Sequence, residues 1–143
     1  MALKQINIFV ENKPGSLIPV TAALAEEGID IRALSIADTE EFGILRLIVT
    51  DTDGAKEALE KIGCLVKISE VVGVKIGDAP GKLSGAVKVL GEAKIEIEYL
   101  YAFLARTERH AYVVLRVADN DAAERVLTEA GYHLIRDCDI AKL

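Results

Sequence analysis

Shifted against itself by 66 residues, the chain lays Asn12 on Asp78, Pro14 on Pro80, Gly15 on Gly81, Leu17 on Leu83, Ile29 on Ile95, Ile31 on Ile97 and Leu34 on Leu100. Further along the offset becomes 68, pairing Val49 with Val117, Asp51 with Asp119, Asp53 with Asp121, Leu59 with Leu127 and Gly63 with Gly131. Self-similarity over a whole chain dictates two copies of one supersecondary unit. The second copy carries two more residues than the first, between about Ala102 and Tyr112. Extra residues inside a paired strand would turn its buried face outward, so they are predicted to lie in a connection. The copies divide into a first unit, 1–69, and a second, 70–143, with the boundary near Ile68 to Val71 and no linker.

Within each copy the hydrophobic periods come in one order. "QINIFVEN" alternates, with Ile6, Ile8 and Val10 on one face, as a half-buried strand does. Leu17, Val20, Thr21 and Leu24 then recur at helical spacing, and Leu83, Ala86, Val87 and Leu90 repeat that stripe. Gly28 is placed to end the first helix in the left-handed conformation, whereas Ala93 and Lys94 stand in its place in the second copy, a weaker stop. "IDIRALSIA" and "ILRLIVTD" read as two strands joined by "DTEEFG"; "IEIEYLYAFL" and "AYVVLRVAD" are their counterparts, joined by "ARTERH". Asp51-Thr52-Asp53 and Asp119-Asn120-Asp121 supply caps for second helices over residues 54–62 and 122–130, closed by Gly63 and Gly131. The last strands are "LVKIS" and "HLIRDCDI".

Strand, helix, strand, strand, helix, strand is the split β-α-β order of an α+β, ferredoxin-like sandwich, with two helices over one face of a four-stranded antiparallel sheet. A unit of about 66 residues buries only roughly 60% of its extended-chain surface. Two such units without a flexible linker are therefore expected side by side, their sheet edges joined into a continuous antiparallel sheet.

Composition narrows the function. The net charge is −6, without a basic block, so neither nucleic acid nor an anionic membrane surface is an expected partner. No apolar stretch approaches a membrane span and the alternating start is unlike a signal peptide, so the expected location is the cytoplasm. Cys64 and Cys138, seventy-four residues apart, suggest neither a disulfide framework nor a metal site. No cofactor and no catalytic constellation is expected. His110 and His133 lack neighbours that would make a base, Asp51 and Asp53 read as caps, and Glu26-Glu27 and Glu40-Glu41 as solvated faces. Aromatic residues are 5% of the chain, few for stacking on exposed RNA bases.

The repeated Pro-Gly turn is the remaining candidate. It opens a helix, so the amides of Gly15, Ser16 and Leu17, and of Gly81, Lys82 and Leu83, belong to helix N-termini that suit a small carboxylate. Glycine admits close approach, proline fixes the turn, and Asn12 and Asp78 offer side-chain oxygens to an ammonium group. Carboxylate donors beside an ammonium acceptor describe a free amino acid. The same spacing also serves as a plain helix start.

A strand ending in Asn/Asp-x-Pro-Gly-x-Leu, a helix, then "GIDI" at residues 28–31 resembles the ACT domain, a small-molecule-binding regulatory module of amino-acid metabolism. The resemblance covers both copies, and "DAPGKLSGAVKVL" with "IEIEYLYAF" is similar to the second half of stand-alone tandem ACT proteins. It implies a non-catalytic regulatory protein that binds an amino acid between the Pro-Gly turn of one unit and the start of the second strand of its neighbour. Carried over, that implies Asn12, Gly15, Ser16 and Leu17 with Glu96 and Ile97, and Asp78, Gly81, Lys82 and Leu83 with Asp30 and Ile31; Tyr99 is a further candidate for the second site. Many family members carry Asn where this chain has Asp30 and Glu96, which alters the charge of the site. A homodimer and a regulated metabolic enzyme are the implied partners. The alternatives are a ligand-free assembly module and, remotely, a small enzyme of the acylphosphatase type, which needs an arginine in the first strand-helix loop, where Lys13 and Ala79 stand. Replacement of Asn12 and Ser16 by Asp78 and Lys82 predicts unequal sites and draws attention first to the second turn.

Overall fold

The computed structural model of the chain describes residues 3–38, 41–105 and 109–143. They form two compact units, one over Lys4–Ser69 and one that takes in Glu70–Leu143. The first unit contains β1 (Leu3–Glu11), α1 (Ile18–Glu26), β2 (Ile31–Asp38), β3 (Phe42–Val49), α2 (Thr52–Lys61) and the start of β4 (Val66–Gly77). Its strand order is β2-β3-β1-β4, with β3 antiparallel to both neighbours. The second unit has the rest of β4, then α3 (Lys82–Glu92), β5 (Ile97–Ala102), β6 (His110–Val117), α4 (Asn120–Glu129) and β7 (His133–Ile135). Here β4 lies between β6 and β7, and β5 follows β6. Each unit is an α+β ferredoxin-like sandwich.

Alternation decides the packing. Ile6, Ile8 and Val10 of β1 and Leu45, Leu47 and Val49 of β3 face Val20 and Leu24 of α1 and Ala55 and Leu59 of α2, which places both helices on one face of the sheet. Val72, Val74 and Ile76 meet Ala86, Leu90, Ala123 and Leu127 in the second unit. Both units also share an irregularity in the pairing of the second strand, between Ile31 and Ala33 and between Ile97 and Tyr99, 66 residues apart. β5 ends at Ala102 and β6 begins at His110, against Asp38 and Phe42 in the first unit; residues 39–40 and 106–108 of the predicted connections lie outside the described residues.

The helix stripes are only partly as predicted. Thr21 is exposed and its hydroxyl donates to the carbonyls of Leu17 (3.0 Å) and Ile18 (3.3 Å); Ala23 is buried beside Leu24 instead. A hydroxyl on the core side would have needed a partner there, and the preceding turn supplies one on the outside. In α3, Ala86 and Leu90 are buried but Leu83 and Val87 remain 38% and 37% exposed, on the flank of the contact.

The caps explain where the second helices begin. Asp51 Oδ1 accepts from the Gly54 amide and Asp119 Oδ1 from the Ala122 amide, each at 3.0 Å, so α2 and α4 start two residues earlier than the apolar pattern indicated. Gly28 takes φ +66°, and Lys94 takes its place in the second copy at φ +60°, the left-handed conformation with a side chain attached. The final predicted strand is shorter than "HLIRDCDI": after Ile135 the chain turns into a 3-10 helix, Asp137–Lys142. Asp139 Oδ2 accepts from the Arg136 amide at 3.0 Å, a local bond that competes with the sheet ladder, and buried Ile140 anchors the turn.

Candidate functional site

The first Pro-Gly turn follows β1 without interruption. The Asn12 amide donates to the Glu41 carbonyl (3.4 Å), the Ser16 amide to Lys13 (3.3 Å) and the Ile18 amide to Gly15 (3.1 Å). Gly15 sits at φ +81°, where any Cβ would strain the backbone. Because α1 begins only at Ile18, residues 12–17 form an open loop over the end of the sheet. Beneath it lies a pocket of about 390 Å³. Val10, Pro14, Leu17 and Ile36 give it an aliphatic wall; Asn12, Ser16 and the Glu11–Lys13 ion pair (2.9 Å) give it a polar rim. The Lys13 ammonium is held above the ordinary lysine range by its hydrogen bond to Glu11 and by the charge of that carboxylate. Ser16 spends its amide on a backbone bond within the turn.

Gly43 stands behind two residues that line this pocket. It stands opposite Val10 in the β1–β3 register, and a Cβ there would lie 3.0 Å from Ile36 Cγ2 and 3.7 Å from Asn12 Oδ1. Ile36 reaches the site because the β2–β3 register sets it opposite Leu45, on the helix-covered face.

The second turn runs sooner into its helix. Gly81, at φ +86°, is itself the N-cap of α3, which starts at Lys82; the copy alignment would place that start at Ser84, the counterpart of Ile18. The Lys82 amide donates to Ala79 (3.2 Å), the Gly85 amide to Gly81 (3.0 Å) and the Asp78 amide to Arg109 (2.8 Å). The Lys82 side chain is folded back over Gly77: a Cβ on that glycine would meet Lys82 Cγ, Cδ and Cε at 2.9, 3.0 and 3.2 Å.

Sequence reasoning thus brings together Asn12, Gly15, Ser16 and Leu17 around one loop, and Asp78, Gly81, Lys82 and Leu83 around the other. It missed Val10, Glu11, Pro14 and Ile36, and Lys13 as part of the rim; only register reveals Ile36. The remaining candidates lie elsewhere in their own units. Ile31 pairs with Val49, whereas the first turn follows Glu11, which pairs with Phe42. Seven residues of strand separate those ends, roughly 23 Å at 3.3 Å per residue. Asp30 is held there by Arg32 Nη1 (3.5 Å) and by two bonds between its backbone and Thr50 (3.0 and 3.1 Å). Glu96 is exposed, Ile97 pairs with Val117 at the corresponding end of the second unit, and half-buried Tyr99 stacks on Tyr101 at 6.4 Å.

Elsewhere, no group of three or more His, Cys, Asp or Glu among the described residues is arranged to hold a metal ion. Cys64 is half-buried, and burial raises its thiol pKa; Cys138 is exposed. Among the described residues no helix is long and apolar enough to cross a membrane.

Two sandwiches in one chain, each opening its first helix on a Pro-Gly turn, invite comparison with known proteins. A family model described as an ACT domain pair matches residues 1–143. The chain belongs to the ACT domain pair family. This ACT domain pair is similar to a crystal structure of a protein from Bacteroides thetaiotaomicron, with 40% identity and a TM-score of 0.92 over 100% of this chain and 98% of the other. It shares its fold with the ligand-free regulatory subunit of aspartate kinase from Thermus thermophilus, at 21% identity and a TM-score of 0.67, covering 91% and 93% of the two chains. The fold also recurs in aspartate kinase from Synechocystis, at 19% identity and a TM-score of 0.59, where the match covers 90% of this chain and 25% of that one. No curated protein sequence matches the chain.

Proposed function

We propose that this ACT domain pair is a non-catalytic regulatory protein that binds a free amino acid with an aliphatic side chain at the first Pro-Gly turn and passes its occupancy to a metabolic enzyme. The pocket under residues 12–17 carries this reading. Its aliphatic wall of Val10, Pro14, Leu17 and Ile36 suits a branched side chain, while the Gly15 and Leu17 amides suit a carboxylate and Asn12 an ammonium group. The regulatory assignment draws on family membership and on the regulatory subunit of aspartate kinase that shares the fold.

The mechanism is linkage. A ligand shifts an arrangement of ACT units only by the difference in its affinity for the alternatives, and the enzyme responds to that shift. A ligand of about ten heavy atoms, at roughly 0.5–0.8 kcal/mol per atom, binds in the millimolar to micromolar range. The test is thermal unfolding of the full chain with each common amino acid at millimolar concentration. At a hundred times its Kd an aliphatic amino acid adds about 2.7 kcal/mol, a rise of several degrees. If none of the amino acids moves the transition, the sensing reading is refuted.

A second reading, assembly without a ligand, is favoured by β2, the outermost strand of the first unit's sheet, where Leu34 and Ile36 stay 38% and 48% exposed. A homodimer through that edge fits either function. Light scattering that shows a dimer, together with no thermal response, would establish the assembly reading.

A further inference from the structure

The two turns share a sequence frame, with Pro14 and Leu17 recurring as Pro80 and Leu83, but differ at other positions that line the first pocket. Glu11 and Ser16, both in the rim of the first, correspond to Gly77 and Lys82 in the second. In the first loop the small Ser16 leaves the space beside Glu11 open. In the second, the methylenes of Lys82 lie across Gly77, the counterpart of Glu11. The exchange is reciprocal: a Cβ at position 77 would come within 2.9 Å of the lysine stem, so glycine there is the condition for this placement.

Two further pairs point the same way. Ile36, the branched wall of the first pocket, corresponds to Ala102, which removes the apolar surface against which an aliphatic ligand would rest. Gly43, whose lack of a Cβ leaves room for Ile36 and Asn12, corresponds to Ala111, and the register is conserved, with Val10 opposite Gly43 and Ile76 opposite Ala111.

We infer that the second Pro-Gly turn is not a ligand site: the Lys82 side chain is its built-in occupant, and the chain binds one amino acid, at the first turn. This deepens the proposed function and rests on it. The consequence is a sensor with one ligand per chain, in which the second unit keeps a filled, ligand-independent turn.

Isothermal titration of the full chain with L-leucine, L-isoleucine and L-valine tests this. The expected result is one equivalent per chain, weakened at least tenfold by Gly43→Ala and changed less than twofold by Lys82→Ala or Asp78→Ala. Transplanting the first wall into the second turn, with Gly77→Glu, Lys82→Ser, Ala102→Ile and Ala111→Gly together, is expected to raise the stoichiometry to two. Two equivalents in the unaltered chain, or loss of the single event in Lys82→Ala or Asp78→Ala, would overturn the inference while leaving amino-acid binding intact. No binding of any of the three by the unaltered chain would overturn both. The single variants decide the matter even if the fourfold transplant does not fold.

Discussion

Lys94 offers a clean test of how far the two copies are interchangeable. It holds φ +60° where the first copy has Gly28 at +66°. Left-handed backbone costs a residue bearing a side chain about 1–2 kcal/mol. Glycine's greater freedom in the unfolded chain takes back about 0.5–1 kcal/mol. At mid-range, Lys94→Gly should therefore stabilise the protein by about 0.75 kcal/mol, and Gly28→Lys should destabilise it by the same amount. The reverse change is free of steric complication, because a Cβ at Gly28 meets nothing within 4 Å. One further effect needs control: a lysine at a helix C-terminus gains about 0.3 kcal/mol from the helix dipole at an exposed site. Working at about 0.5 M salt screens most of it. At this chain length the expected changes in Tm are roughly +2 °C and −2 °C, measured by differential scanning calorimetry on the two variants side by side. A Lys94→Gly variant that melts no higher than the parent, or a Gly28→Lys variant that melts no lower, would refute the reasoning that strain at Lys94 outweighs the entropy of glycine.

Two other outcomes follow from the same geometry. Asp51→Ala and Asp119→Ala should each lose about 1 kcal/mol, seen as a lower Tm, while Asp53→Ala and Asp121→Ala lose less, because in each Asp-x-Asp only the first carboxylate accepts the helix amide. With iodoacetamide near neutral pH, mass spectrometry should show Cys138 alkylated faster than Cys64: burial raises the Cys64 pKa, so less thiolate is present there at a given pH, and the gap should narrow as pH rises through the raised value.

How much of this could be read from sequence varies by feature. The Pro-Gly turns, the capping aspartates and the glycines that end helices announce themselves, because each is a local conformational demand met by one or two residues. The site was harder. Asn12, Ser16 and Leu17 are neighbours along the chain, but Ile36 and Gly43 reach the pocket only through the pairing of β1, β2 and β3. The sequence leaves open where the Lys82 side chain goes; its stem lies over Gly77, a fact of rotamer and space that no one-dimensional pattern carries. The failure of "HLIRDCDI" to continue as a strand has the same origin, since Asp139 found a closer partner in the Arg136 amide.

By itself, then, the sequence determined the repeated unit, its order of strands and helices, and the capping of α2 and α4, because periods of two and 3.6 residues and the backbone needs of glycine, proline and aspartate act over short range. Only the tertiary structure decided which side chains share a pocket. Register sets residues far apart in sequence opposite one another, and close packing then lets one small difference, Gly43 against Ala111 or Ser16 against Lys82, leave one turn open and fill the other.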